Sequence, residues 1–215
     1  MLISFEGIDG SGKTTQSKML HDYLNKKGAK VYYTREPGWE DPISEIMRTL
    51  IRSESTSPRQ KMFLLLADRA AHFDKVIGPA LTDFEAFDNF VIMDRGLDSL
   101  IAYQGFGQAL APLPWLVEAN QISTGETRAS TTFLIDIDPV ESMKRIRNKK
   151  PFQQLGLEFY KRVRNGYLEM AKMESGRFVV LDGTQSKESL HQTILGHILA
   201  RHGEIPCGNK YSAGF

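Results

Sequence analysis

Cysteine is nearly absent from this 215-residue chain. The single Cys207 excludes an internal disulfide and any metal site built from thiolates, which fits a reducing compartment. Its place near the C-terminus also argues against a catalytic thiol. A surplus of either charge is missing too. The 27 Lys plus Arg stand against 26 Asp plus Glu, so no overall field favours nucleic acid or a membrane surface, and affinity for phosphate must come from local clusters. No apolar run approaches the roughly 20 residues of a membrane span. No signal peptide precedes the first apolar segment, and there is no internal repeat or low-complexity stretch. Together these absences predict a soluble, cytoplasmic protein organised as one large domain, long enough to bury a sizeable core.

What is present starts at the N-terminus. Phe5-Glu6-Gly7-Ile8-Asp9-Gly10-Ser11-Gly12-Lys13-Thr14-Thr15 has the spacing G-x-x-x-x-G-K-T from Gly7 to Thr14. Leu2-Ile3-Ser4-Phe5 before it suits a buried strand, and Met19, Leu20, Tyr23 and Leu24 after it recur at helical spacing up to Gly28. Strand, glycine loop and helix in this order form a phosphate-binding P-loop. Gly7, Gly10 and Gly12 let successive N–H groups, with those of Ser11, Lys13, Thr14 and Thr15, face one concavity at a helix N-terminus. Lys13 would reach the β- and γ-phosphates and the Thr14 hydroxyl would ligate Mg²⁺. A glycine-rich turn that merely caps a helix is the bland alternative, and the matching flanks speak against it. The chain is read as binding a nucleoside triphosphate.

Beyond the loop, strands and helices alternate. Strands are expected at Val31–Thr34, Phe90–Met93, Thr132–Ile137 and Phe178–Leu181. Helices are expected after Gly38 with Ile43, Ile46, Met47, Leu50 and Ile51 on one stripe, and from Ser57-Pro58 onward in segments reaching about Phe87. Further helices are expected over Leu97–Tyr103 until Gly105 and Gly107 break the pattern, and over Pro114–Ser123, Pro139–Arg147, Phe159–Lys172 and Glu188–Ala200. Alternation of this kind predicts an α/β fold, a parallel sheet covered on both faces, with ligands at the carboxyl ends of its strands. Those ends carry Gly7, Arg35, Asp94 and Asp182. The segment 203–215 reads as a flexible tail.

Asp94 stands where a P-loop protein holds Mg²⁺ or its waters, or else it caps the following helix. Arg95 and Arg35 could grip phosphate oxygens in bidentate fashion, or lie on the surface. Arg145, Arg147, Lys149 and Lys150 form a basic run, which suits either a solvated helix end or a lid whose cations settle on transferring phosphates.

Assembled, these residues resemble the thymidylate kinase family from Met1 to about His202. The likeness rests on the P-loop together with Thr34-Arg35-Glu36-Pro37-Gly38, Ala67-Asp68-Arg69-Ala70, Asp94-Arg95, Ser99 with Ala102-Tyr103-Gln104-Gly105, and Arg162-Val163-Arg164-Asn165-Gly166-Tyr167-Leu168-Glu169. The resemblance implies a P-loop NTPase fold with a five-stranded parallel sheet, a homodimer, and Mg·ATP-dependent phosphorylation of a deoxynucleoside monophosphate. It implies that Asp9 contacts the acceptor's 3′-hydroxyl and that Arg35 and Arg95 clamp its phosphate. Arg69 would touch the base and Tyr103 would crowd the sugar's 2′ position, with Leu65, Ser99, Leu100 and Gln104 completing the acceptor site. Gly10 stands where one branch of the family carries a catalytic arginine, so the sequence resembles the bacterial branch. That branch draws the arginine from the lid, here Arg145 or Arg147 at about 145–154.

Departures from the family pattern are concentrated. Leu65 replaces a usual Phe, Leu100 a Thr or Asn, Gly96 an aromatic residue or His, and Trp39 a glycine. The lid's usual Asp-Arg-x-Glu is Lys150-Pro151-Phe152-Gln153, and Ala129-Ser130 replaces a Pro-Asp. Phosphate-handling residues stay while base-handling ones change. The reaction that the resemblance implies is dTMP to dTDP, and the departures bear on base choice rather than on phosphoryl transfer. The alternative is a divergent kinase, such as a phage-encoded one, of altered or broadened base choice. A P-loop switch without an acceptor is a further alternative, weakened because Asn148-Lys149-Lys150-Pro151 lacks the Asp of a guanine-reading motif.

Overall fold

The computed structural model describes residues 1–37, 41–82, 89–146 and 154–202. Five strands, β1 (Leu2–Glu6), β2 (Lys30–Arg35), β3 (Asn89–Asp94), β4 (Thr131–Asp136) and β5 (Phe178–Asp182), form one sheet ordered β2-β3-β1-β4-β5. Every pairing in it is parallel, as the alternation of strands and helices requires. Phe5 of the central strand β1 is level with Asp94 on one side and Phe133 on the other. The chain leaves β1 toward the β2 edge and returns through β3 before crossing to β4. A crevice therefore opens at the carboxyl end of β1, where ligands bind in such sheets.

Strand periodicity sorts β1 onto two layers. Ile3 and Phe5 pack against Leu20 and Leu24 of helix α1 (Lys13–Lys26) and Ile194 and Ile198 of α9 (Lys187–His202). Leu2 joins Val91, Met93, Phe73 and Ile77 on the opposite layer. Ser4 and Glu6 continue that layer as polar residues, both buried. The flanking helices start with the expected chemistry. For α2 (Pro42–Arg52), Asp41 accepts from the N–H groups of Ile43 and Ser44, and Pro42 holds the first position. For α3 (Pro58–His72), Ser57 and Gln60 form a reciprocal capping box, which satisfies two otherwise orphaned donors. A π-helical turn, Phe73–Ile77, leads from α3 into α4 (Gly78–Thr82). The expected continuation toward Phe87 lies outside the described residues, as do Gly38, Trp39 and the segments 147–153 and 203–215.

The apolar stripe of α2 is divided: Ile43, Ile46 and Leu50 are 54%, 62% and 43% exposed, whereas Met47 and Ile51 are half-buried. One expectation needs correction. The helix α5 (Leu97–Leu100) does not break at Gly105: it runs on as a π-helical segment, Ile101–Gly107, and ends only at the second glycine. Gly107 also serves close packing. A Cβ on Gly107 would come within 2.6 Å of Phe159 and 2.8 Å of Val163, both on α8 (Leu157–Met173). The remaining helices are α6 (Leu113–Ser123) and α7 (Pro139–Arg145), the latter ending two residues before Arg147.

Gly107→Ala tests this packing. Overpacking a tight contact costs about 1–3 kcal/mol, which in a domain of this size lowers Tm by roughly 2–12 °C. An unchanged melting curve would show that α8 yields freely.

Candidate active site

The P-loop after β1 divides two clefts. The donor-side cleft, about 480 Å³, is lined by Gly10, Ser11, Gly12, Lys13, Thr14 and Thr15. Gln16, Arg145, Gly183, Gln185 and Lys187 close its far wall. Gly10 has a positive φ of 78°, and a Cβ there would lie 2.7 Å from the Ser142 carbonyl of α7. Ser142 also donates to the Asp9 carbonyl, so α7 is seated directly on the loop. An arginine at position ten has no room to leave this backbone.

Lys13 is buried and donates to the Ile8 carbonyl at 3.1 Å, with Asp9 Oδ1 3.9 Å away. Burial, helped by the charge of Arg95, lowers its ammonium pKa to about 8. Polyphosphate in the cleft would reverse that pressure. Thr14 Oγ1 donates to Asp94 Oδ2 at 2.5 Å, and the other Asp94 oxygen is buried without a partner. A hydroxyl beside a carboxylate with a free oxygen is a hard oxygen-donor set that fits Mg²⁺, which takes few protein ligands and otherwise keeps waters and phosphates. No cluster of three or more His, Cys, Asp or Glu suited to a metal occurs among the described residues.

The second cleft, about 240 Å³, lies across the loop. Asp9, Arg95, Ser99, Tyr103 and Gln104 line one wall, and Leu65, Arg69 and Leu100 line another with Ile51 and Pro37. Arg95 is the crossing point. It follows β3 at a positive φ of 71°, a conformation non-glycine residues seldom adopt. Its Nη1 donates to the Gly7 carbonyl at 3.2 Å and Ser99 Oγ at 3.1 Å. Its Nη2 donates to Asp9 Oδ1 at 2.5 Å and the Tyr103 hydroxyl at 3.2 Å. The guanidinium also lies 5.0 Å from the centre of the Tyr103 ring. Burial pushes the Asp9 carboxyl up, but Arg95 and Lys13 outweigh it and hold the group below its ordinary range.

Arg69 is 3% exposed and firmly held. Its Nε and Nη2 donate to Glu36 Oε2 at 2.8 and 2.6 Å, its Nη2 also to the Gly96 carbonyl at 3.1 Å, and its Nη1 to Asn120. His72 contacts the other Glu36 oxygen at 3.2 Å and Thr34 Oγ1 at 2.7 Å. Burial raises the Glu36 carboxyl, yet Arg69 and His72 together outweigh it and leave the group low. Leu100 both lines the cleft and belongs to a buried cluster with Met62 and Leu116, whereas Leu65 only packs against that cluster. Arg35 ends β2 level with Asp94, is exposed, and does not join the residues lining either cleft. Arg145 donates to the Gly183 carbonyl at 2.8 Å on the donor side, and Arg147 lies outside the described residues.

Sequence reasoning named Glu6, Glu36 and Tyr167 only within motifs and missed Asn120 and His72. Glu6 is wholly buried and accepts from the Gly96 N–H at 2.7 Å, Ser99 Oγ at 2.6 Å and the Tyr167 hydroxyl at 2.9 Å. Burial raises its carboxyl pKa to about 7, with Asp98 adding to the rise. The signal was present: an acid ends an otherwise uncharged buried strand, and a buried carboxylate needs partners.

Comparison with known proteins agrees with this geometry. The family profile described as thymidylate kinase matches residues 5–194. A thymidylate kinase of Kosmotoga olearia is 37% identical over 203 residues, covering 93% of this chain and 95% of that protein. One of Fervidobacterium nodosum is 39% identical over 197 residues, covering 91% and 96% respectively. The crystal structure of thymidylate kinase from Ehrlichia chaffeensis superposes with a TM-score of 0.71 at 33% identity, covering 92% of this chain and 98% of that one. The five-stranded parallel sheet, the P-loop and the paired clefts accordingly have one assignment: the chain belongs to the thymidylate kinase family.

Proposed function

We propose that this chain transfers the γ-phosphoryl group of ATP to the phosphate of a deoxynucleoside monophosphate, with dTMP the preferred acceptor. The observation that carries the reading is the pair of clefts joined by Lys13, Asp9 and Arg95. A switch protein that only hydrolyses nucleotide has no use for the second cleft or its arginines. Family membership favours dTMP over an altered base choice.

The chemistry follows from charge. A loose phosphoryl transition state spreads negative charge over its equatorial oxygens, so positioned cations matter more than a base. Lys13 supplies one from the P-loop, and Arg95 holds the acceptor phosphate from the other side. Asp9, fixed by Arg95, is left with its second oxygen near Tyr160, 3.4 Å away, and can receive the acceptor's 3′-hydroxyl. Tyr103 closes the space beside the sugar. Thr14 and Asp94 would hold Mg²⁺, which when bound screens the polyphosphate charge. Arg145 at the donor rim and Arg147, next but one in the chain, supply the lid's cations in this reading, and Arg35 at the β2 end joins Arg95 when the acceptor is seated. Residues 1–202 form the catalytic domain, with its lid at about 145–154, and the protein works in the cytoplasm. In keeping with this, no described helix is long and apolar enough to cross a membrane.

The exposed apolar residues of α2 support a homodimer. Phe63 of α3 and Trp115 of α6, 52% and 38% exposed, contact each other edge to face at 6.1 Å and are further exposed apolar groups. Large exposed apolar surfaces of this kind mark association sites.

Acceptor dependence tests the function. ATP consumption should need an added monophosphate and run fastest with dTMP among dTMP, dUMP, dCMP, dGMP and dAMP. Lys13→Ala should lower kcat by about 100-fold or more while remaining folded. Leu65→Phe, which adds a ring face to the base pocket, should raise discrimination for dTMP by roughly 2- to 13-fold. ATP hydrolysis indifferent to every acceptor would refute the kinase reading. For the dimer, sedimentation should give twice the 24.3 kDa chain mass, and Ile46→Glu combined with Phe63→Glu should give the single mass. A wild-type monomer would contradict it.

A further inference from the structure

Glu6 takes part in neither cleft's lining, yet it holds the residue on which both depend. It ends β1 pointing away from the α1 side of the sheet. Its Oε1 accepts from the N–H of Gly96, the residue directly after Arg95. Its Oε2 accepts from Ser99, whose oxygen in turn accepts from Arg95 Nη1. Ser99 and Tyr167 each carry a single hydrogen and lie 2.9 Å from each other as well as within reach of Oε2. With Glu6 ionised, both can give that hydrogen to Oε2, which leaves the Ser99 oxygen free for the guanidinium. A protonated Glu6 would bring a further hydrogen into a space already full of donors. One hydroxyl would have to turn round, and the bond from Arg95 would meet competition.

We propose that Glu6 is a positioning residue for phosphoryl transfer, its ionised carboxylate fixing the backbone of Arg95 through Gly96 and its guanidinium through Ser99. The inference rests on the reading of Arg95 as the contact to the acceptor phosphate. It explains how Arg95 keeps a positive φ, since the bond to Gly96 restrains the peptide that follows it. It also gives the site a pH dependence. The charged and titratable groups around Glu6 are Arg95 at the β3–α5 turn, Asp98 of α5, Tyr103 of the π-helical segment, Tyr167 of α8 and Lys13 of α1. Asp98 is itself neutralised by Arg177, bonded at 2.8 and 2.9 Å. With the Glu6 carboxyl at about 7, the hydrogen-bonded circuit is complete above neutral pH and is lost as pH falls through that value.

Glu6→Gln, Tyr167→Phe and Arg95→Ala, with melting curves to establish folding, form the test. In Glu6→Gln above neutral pH, kcat/KM for the acceptor should fall about ten-fold or more, with KM for ATP unchanged. The wild-type fall in kcat/KM near pH 7 should vanish from this variant, leaving only the acceptor phosphate's own titration near about 6. Tyr167→Phe keeps the ring and the carboxyl but removes one donor to the ionised form, so the fall should move to higher pH. A folded Glu6→Gln enzyme with the wild-type acceptor KM and pH profile overturns the proposal, as does a Tyr167→Phe profile that stays in place. Should Glu6→Gln fail to fold, the Tyr167→Phe profile decides alone. Arg95→Ala separates the two readings: an unchanged acceptor KM there removes the phosphate contact itself. A raised one beside an unaffected Glu6→Gln removes only the role of Glu6.

Discussion

The guanidinium of Arg95, only 17% exposed, must find acceptors wherever the chain can provide them, because a buried charge without partners is prohibitively costly. Four groups answer: the Gly7 carbonyl, Asp9, Ser99 and the Tyr103 hydroxyl. They come from the P-loop, from α5 and from the π-helical segment that extends it. Satisfying one arginine therefore fixes the loop that binds the donor relative to the helix that lines the acceptor cleft. The same contacts leave Arg95 at the boundary of the two clefts, where a phosphate could replace part of its protein neighbourhood.

Two further arginines complete the frame. Arg69 joins α3 to the β2 end through Glu36 and to α6 through Asn120. Arg177 binds Asp98 on α5 and Thr132 on β4, from the turn before β5. Buried ion pairs contribute little net stability compared with well-packed apolar groups, but removing one partner leaves an uncompensated charge. Their value here is geometric: the arginines hold the walls around a cleft that must accept a charged substrate without collapsing.

The parts legible in the sequence were those dictated by local rules. The P-loop is readable because phosphate binding demands glycines, a lysine and a hydroxyl at fixed spacing. The strands are readable because burial on both faces leaves short apolar runs. What escaped depends on partners far away in the chain. Gly107 reads only as a helix breaker, and its second use, close packing, shows when Phe159 and Val163, more than fifty residues later, are brought against it. The stripe of Ile43, Ile46 and Leu50 has the period of a core face, and periodicity alone does not distinguish a core from a surface that meets another molecule. Glu6 and Glu36 sat within recognisable strings, but their partners Ser99, Tyr167, Arg69 and His72 are distant in sequence. Leu100 reads as a base-pocket residue, and the fold also makes it part of the Met62 and Leu116 cluster.

The central claim is that the smaller cleft recognises a nucleotide chiefly by its phosphate, through Arg95. Titration calorimetry with dTMP and with thymidine, which lacks the phosphate, tests it most directly. The account predicts that wild-type protein binds dTMP far more tightly than thymidine, and that Arg95→Ala removes most of that difference. Equal affinities for the two ligands in the wild type, or a difference that survives intact in Arg95→Ala, would contradict it.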